Sequence, residues 1–317
     1  MDNSKFCGVV PPVIIPLRED RSLDKEAFEF SINRMIDAGV NGLFFLGSSG
    51  EVAFLTDEER MQVLHEAIRI VDGRVPVMVG VIDIETMRVI DQVKRVSELP
   101  IDALVATAPF YALGGPCENE RHFRTIRKYT DLPLFAYDLP VSVHTKLDPE
   151  MLLRLGTEGI IQGVKDSSAD DVTFRWLVLK NRDAGHPMQL LSGHEVVVDG
   201  ALLGGADGSV PGLANVDPYG YCKQWEAAQR GDWEEVARIQ DHLARLMLMT
   251  KRVKSTVGFG AGVGAFKTAL WQMGVFNTNQ MREPVQALVD ADVAAIHEVL
   301  RINGMIEENA PIRTDWA

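Results

Sequence analysis

Residues 42–81 read GLFFLGSSGEVAFLTDEERMQVLHEAIRIVDGRVPVMVGV, and this stretch decides the fold. It opens on a short run of strand-forming residues, Gly42 to Leu46, and closes on another, Val75 to Val81. Between them lies TDEERMQVLHEAIRIVDG, whose apolar residues Val63, Leu64, Ala67, Ile68, Ile70 and Val71 recur at three- and four-residue spacing. That is the period of one helical face. Thr56 and Glu59 make a capping box at the start, and Gly73 follows the last turn. Strand, helix and strand in series form one βαβ unit, which implies a parallel sheet.

The same unit repeats outward in both directions. Upstream, Val9 to Ile15 is a strand and DKEAFEFSINRMIDAG a helix; downstream, strands are expected at Ala103 to Ala106, Leu134 to Tyr137, Ile160 to Lys165, Gln189 to Ser192 and Gly208 to Val210. Eight strands alternating with helices point to an α/β chain of the (β/α)8 TIM-barrel class. Beyond them, Glu226 to Met249, Gly264 to Met273 and Pro284 to Ile302 read as helices without strands. The expected organisation is a barrel over 1–225 and a C-terminal helical appendage over 226–317.

Composition narrows the function. A formal net charge of −13 disfavours nucleic acid and anionic membrane surfaces as partners. No apolar run approaches the roughly 20 residues of a membrane span. The opening MDNSKFCGVVPPVIIPL has neither a basic leader nor a small-residue cleavage site, and Cys7, Cys117 and Cys222 are an odd, scattered set, so a reducing, cytoplasmic setting is expected. His65, His122, His144, His186, His194, His242 and His297 form no metal-binding spacing, so no metal is expected. GAGVGA, Gly260 to Ala265, matches a loose dinucleotide fingerprint but follows no strand, and no cofactor is expected.

Barrel active sites lie at the C-terminal ends of the strands. Lys165 closes the run GIIQGVKDSS at such an end. A lysine amine taken out of bulk water there is a nucleophile for a carbonyl carbon, while the plainer reading pairs it with Asp166 in water. Tyr137 ends the preceding strand in FAYDLP, and adjacent strands lie about 4.8 Å apart, so phenol and amine can bracket one carbon; a core aromatic with a satisfied hydroxyl is the other reading. Ser48 and Ser49 in LGSSGEVAF offer hydroxyls and backbone N–H groups to a carboxylate, although such turns are also ordinary punctuation.

GSSGE after strand two, FYALGG after strand four, YDLP after strand five and GVKDSS after strand six together resemble the dihydrodipicolinate synthase / N-acetylneuraminate lyase superfamily of class I Schiff-base aldolases. The resemblance spans nearly the whole chain. It implies Lys165 as the Schiff-base lysine, Tyr137 as proton shuttle, and Ser48 and Ser49 as holders of a 2-oxo acid carboxylate, Ser48 also relaying protons. It implies that Tyr111 completes the relay from a neighbouring subunit of a homotetramer. The small-molecule substrate is then a pyruvate-type 2-oxo acid.

The sequence departs from that pattern in places. YDLPVSVHTKL carries Ser142 where the synthases have an arginine for the aldehyde's carboxylate. His144 replaces a glycine and either touches a polyol tail or packs. LSGHEVVVDG aligns with the loop that contacts sugar hydroxyls, which makes Ser192, Gly193, His194 and Glu195 candidates, joined by Val210 in GSVPGLANV; Gly212 stands where sialic acid lyases have a serine. The expected function is a lyase, aldolase or dehydratase, on a 2-oxo-3-deoxy sugar acid. The alternatives are dihydrodipicolinate synthase itself and a non-catalytic 2-oxo acid binding protein.

Overall fold

The structure, a computed structural model, describes residues 5–316; Met1 to Ser4 of the stretch read for a leader lie outside them. The elements run β1 (Gly8–Val9), α1 (Lys25–Asp37), β2 (Leu43–Phe45), α2 (Asp57–Val71), β3 (Val77–Gly80), α3 (Thr86–Val96), β4 (Ala103–Thr107), α4 (Pro116–Arg127) and β5 (Leu134–Asp138). They continue through α5 (Pro140–Val143), α6 (Pro149–Thr157), β6 (Gly163–Asp166), α7 (Asp171–Asp183), β7 (Gln189–Ser192), α8 (Val198–Gly204) and β8 (Gly208–Ser209). The tail is helical: α9 (Pro218–Gln229), α10 (Trp233–Met247), α11 (Met249–Arg252), α12 (Gly258–Gln272) and α13 (Asp290–Ile302).

The chain divides into two compact units. The first holds the N-terminal stretch through Val10, Asn41–Gly47 and Val75–Pro211, and so contains all eight strands. These form one parallel sheet in the order β1-β8-β7-β6-β5-β4-β3-β2, the (β/α)8 TIM-barrel sheet expected from the sequence. β2 to β6 are buried along their whole length, as strands covered on both faces must be. Asn41, just before β2, bonds β1: its N–H donates to the Val9 carbonyl at 2.8 Å, and its side-chain oxygen accepts the Val9 N–H at 2.9 Å. A Cβ at Gly8 would lie 2.1 Å from that oxygen, and Gly8 has φ +79°, so only glycine fits.

The second unit comprises Pro11–Val40, Ser48–Arg74 and Gly212 to the C-terminus, all helix and loop. In α2 the capping box is present: Thr56 Oγ1 accepts the Glu59 N–H at 3.2 Å and Glu59 Oε2 accepts the Thr56 N–H at 2.9 Å, an arrangement worth about 1 kcal/mol. The expected division at residue 225 follows element type along the chain and falls inside α9, whereas the two units are drawn by packing.

Three boundaries differ from expectation for identifiable reasons. β1 spans Gly8–Val9 because Pro11 and Pro12 have no N–H to give a ladder. The helix expected over Glu226 to Met249 is broken by Gly231 (φ +73°), after which Asp232 caps α10 by accepting the Glu235 N–H. The helix expected from Pro284 starts only at Asp290, because Pro284 is taken up in a turn closed by the Val285 N–H on the Arg282 carbonyl at 2.9 Å. GAGVGA lies within α12 and not at a strand-to-helix turn, the placement a dinucleotide fingerprint requires.

Candidate active site

β4, β5 and β6 end at neighbouring heights, with Cα partners Thr107–Tyr137 and Tyr137–Lys165. Paired residues of a parallel ladder direct their side chains to the same face, so the two residues singled out in the sequence are brought together. Lys165 Nζ stands 4.1 Å from the centre of the Tyr137 ring and 4.9 Å from that of Phe44, two rings that meet edge to face at 6.4 Å. Lys165 is 5% exposed, and its Nζ has no hydrogen bond or ion pair among the described residues. The surface pairing with Asp166 is therefore not what the fold builds. An amine in this aromatic setting is positioned by its stem and by ring contacts, and its nitrogen is left uncommitted.

The next register pair, Asp138–Asp166, puts its side chains on the opposite face of the sheet. There Lys146 bonds Asp138 and stands 3.5 Å from Asp166 Oδ2, while the Leu147 N–H donates to Asp138 Oδ1 at 3.1 Å. Burial pushes the Asp138 carboxyl up to about 6 against the pull of Lys146. For Asp166 burial acts in the same sense but is outweighed by His194, Lys146 and the Ser168 N–H, which hold it below the usual carboxylate range. Asp166 entered the sequence reading only as a surface partner for Lys165, and Asp138 and Lys146 did not enter it. Two aspartates directly following the tyrosine and the lysine were the available signal, since strand alternation puts them behind the pair.

His194, expected to meet substrate hydroxyls, is held by protein groups on both ring nitrogens. Nδ1 bonds Asp171, and Nε2 lies 2.5 Å from the Ala169 nitrogen and 3.5 Å from Asp166 Oδ1. Burial alone would lower its pKa, but the two carboxylates raise it above the usual histidine value. A raised value means that the folded chain binds the proton more tightly than the unfolded one. The contribution is complete below the unfolded value and is lost as pH rises through the folded one. The stability advantage of the parent over His194→Asn, read as the difference in urea midpoint, is thus expected to be larger at about pH 6 than at about pH 8.5. An equal difference at both pH values would count against a charged tether.

Gly193 donates its N–H to the Asp166 carbonyl at 2.6 Å, and a Cβ there would lie 2.0 Å from Ser167 Oγ and 3.1 Å from the Asp166 carbonyl oxygen, so a side chain at 193 would have to turn the Ser167 hydroxyl away. Glu195 is half-buried, Ser192 is buried with its Oγ accepting the His194 N–H at 3.2 Å, and Val210 is buried with its N–H on the Ser192 carbonyl at 2.8 Å. Tyr111 is 92% exposed at φ +72°. It lines an open pocket of about 520 Å³ with Ile84, Phe110, Ser142 and His144, so three residues singled out separately share one wall. Ser48 and Ser49 belong to the second unit, where they are half-buried in a turn closed by the Glu51 N–H on the Ser48 carbonyl at 3.0 Å. Gly212, also in that unit, starts a short 3₁₀ turn. Among the described residues no cluster of His, Cys, Asp and Glu is arranged to hold a metal ion, and no helix is long and apolar enough to cross a membrane.

Known proteins are similar to this one over nearly the whole chain. A 4-hydroxy-tetrahydrodipicolinate synthase of Phenylobacterium zucineum is 29% identical over 306 residues, covering 96% of this chain and 100% of that one. A probable 2-dehydro-3-deoxy-D-pentonate aldolase of Escherichia coli K12 is 29% identical over 243 residues, covering 76% of this chain and 81% of that one. Among solved structures, YagE of Escherichia coli K12, a member of the dihydrodipicolinic acid synthase family in complex with pyruvate, superposes with a TM-score of 0.89 at 26% identity over 95% of this chain and 99% of that one. The model of the dihydrodipicolinate synthetase family matches residues 5–303, and the chain belongs to that family and is a lyase.

Proposed function

We propose that this lyase cleaves or dehydrates a 2-oxo-3-deoxy sugar acid through an imine on Lys165. The observation that carries the reading is the Nζ of the buried Lys165 lying 4.1 Å from the Tyr137 ring centre at the C-terminal ends of the strands. The amine attacks the C2 carbonyl and water leaves, giving a protonated imine that acts as electron sink. Tyr137 takes the proton from the C4 hydroxyl, the C3–C4 bond breaks with its electron pair moving to C3, and an aldehyde departs. Protonation at C3 and addition of water then release pyruvate and restore the amine. The imine supplies the electrophile, so the route calls for neither metal nor cofactor.

In this reading Ser48 and Ser49 hold the substrate carboxylate, Ser48 relaying protons, and Gly193, His194, Glu195, Val210 and His144 shape the polyol end. Tyr111 enters the site of a neighbouring subunit, which its near-complete exposure favours, and the assembly is a cytoplasmic homotetramer. Residues 1–225 supply the barrel and 226–317 the helical appendage. The name of the pentonate aldolase relative and the pyruvate held by YagE favour a sugar acid that yields pyruvate. Ser142, exposed on the pocket wall where the synthases carry arginine, weighs against aspartate semialdehyde as partner.

The test is a reaction panel with covalent trapping. Borohydride with pyruvate is expected to leave a reduced adduct on the Lys165 peptide, and 3-deoxy-2-oxo sugar acids are expected to be consumed with release of pyruvate or loss of water. Consumption of pyruvate with aspartate semialdehyde, and inertness toward every sugar acid, would move the chain to the synthase reading.

A further inference from the structure

The row that places Tyr137 beside Lys165 has a third member. Thr107, the last residue of β4, is the register partner of Tyr137, so its side chain shares the face of the sheet on which the phenol meets the amine. Thr107 is 3% exposed, and its Oγ1 has no hydrogen-bond partner among the described residues. Its carbonyl, by contrast, is engaged, bonding His122 Nε2 at 3.1 Å. Burial holds His122 down at about 4, so the ring is neutral and its other nitrogen bonds Thr86 Oγ1 at 3.0 Å. The neighbouring polar groups are thus committed to one another, and the Thr107 hydroxyl stands apart from them.

A buried hydroxyl without a partner costs about 1–3 kcal/mol, and valine has the same shape without that cost. The oxygen is thus best explained by a group that arrives with the ligand. Its position says which end of the ligand. Thr107 lies on the far side of Tyr137 from Lys165, two strand spacings, roughly 10 Å between Cα atoms, from the imine nitrogen's strand. Atoms of the substrate that reach β4 are those beyond C3, where a sugar acid carries hydroxyls and pyruvate has no atoms.

Resting on the imine reading above, we propose that Thr107 is a specificity-determining residue whose hydroxyl bonds a polyol oxygen of the 2-oxo-3-deoxy sugar acid carried on Lys165. Tyr137 lies between the two, so the same contact sets the C4 hydroxyl against the phenol.

The experiment compares Thr107→Val and Thr107→Ser with the parent. Borohydride trapping on the Lys165 peptide is titrated with pyruvate and, separately, with 2-dehydro-3-deoxy-D-pentonate. Thr107→Val is expected to raise the half-saturating pentonate concentration about tenfold while shifting that for pyruvate less than twofold, and to melt at or above the parent temperature. Thr107→Ser, which keeps the oxygen, is expected to bind pentonate within about threefold of the parent. The proposal is overturned if Thr107→Val leaves pentonate binding unchanged, shifts pyruvate equally, or is destabilised or misfolded, since the last would show that the protein itself uses the hydroxyl. A parent trapped by pyruvate but not by pentonate would remove the substrate class and this contact together. A parent trapped by neither would instead remove the imine reading.

Discussion

Replacing Lys165 by methionine is expected to lower pyruvate release from the sugar-acid substrate by at least about 10⁴-fold and to abolish borohydride trapping, while leaving the fold intact. The size follows from what the amine does. It is the only group in the scheme that turns the 2-oxo carbon into an electron sink, and it alone among the lysines stands over the Phe44 and Tyr137 rings. Tyr137 moves protons on an imine that already exists, so Tyr137→Phe is expected to fall only about 10²–10³-fold and still to be trapped by pyruvate, the range of general acid–base catalysis. Methionine keeps the length and apolar stem that pack against Phe44 and Tyr137. Because Nζ gives up no hydrogen bond or ion pair among the described residues, the unfolding midpoint is expected to stay near that of the parent. Steady-state kinetics, trapping and a melting curve on the same three proteins check this. Trapping of Lys165→Met at the parent's level would place the imine elsewhere and end the assignment.

The legible parts of this molecule are those written in local periodicity. Strand runs, helical spacing and the Thr56–Glu59 box each need only neighbouring residues, and eight repeats of one unit leave few architectures open. The Tyr137–Lys165 contact was legible for the same reason, since both residues end consecutive strands and ladder register does the rest. What was not legible depends on partners distant in sequence. Phe44, four strands before Lys165, gave no sign that its ring lies beneath the amine. Lys146 sits in a loop, and only the fold shows it between two buried aspartates. His194 entered through the likeness of its loop to one that contacts sugar hydroxyls, and only the fold shows that its ring also lies against Asp171 and Ala169. The hydroxyl of Thr107 was hidden in another way: threonine is an ordinary strand former, and its oxygen becomes informative only when no partner is found for it.

Lys267→Met is expected to destabilise the protein by about 3–5 kcal/mol, the cost of breaking a buried ion pair by removing one partner. Lys267 sits within α12 with 0% of its side chain exposed, and its Nζ bonds Glu51 Oε2 and donates to the Gln280 carbonyl at 3.0 Å. Burial pushes the ammonium below its usual range while the Glu51 charge opposes that shift. Glu51 is equally enclosed, has φ +57°, and accepts the Arg282 N–H at 3.2 Å on its other oxygen. Removing the lysine therefore strands a carboxylate out of reach of water, and the large cost comes from that leftover charge more than from the lost attraction. A charge-neutral double variant, Glu51→Gln with Lys267→Met, is expected to recover at least half of the loss, because no ion then remains to be solvated. Urea midpoints of the parent, the single and the double variants measure both steps. Glu51 also closes the turn that carries Ser48 and Ser49 by donating its N–H to the Ser48 carbonyl at 3.0 Å. If Lys267→Met unfolds at the parent's midpoint, the carboxylate has another partner or is protonated, and the pair is not what fixes this turn.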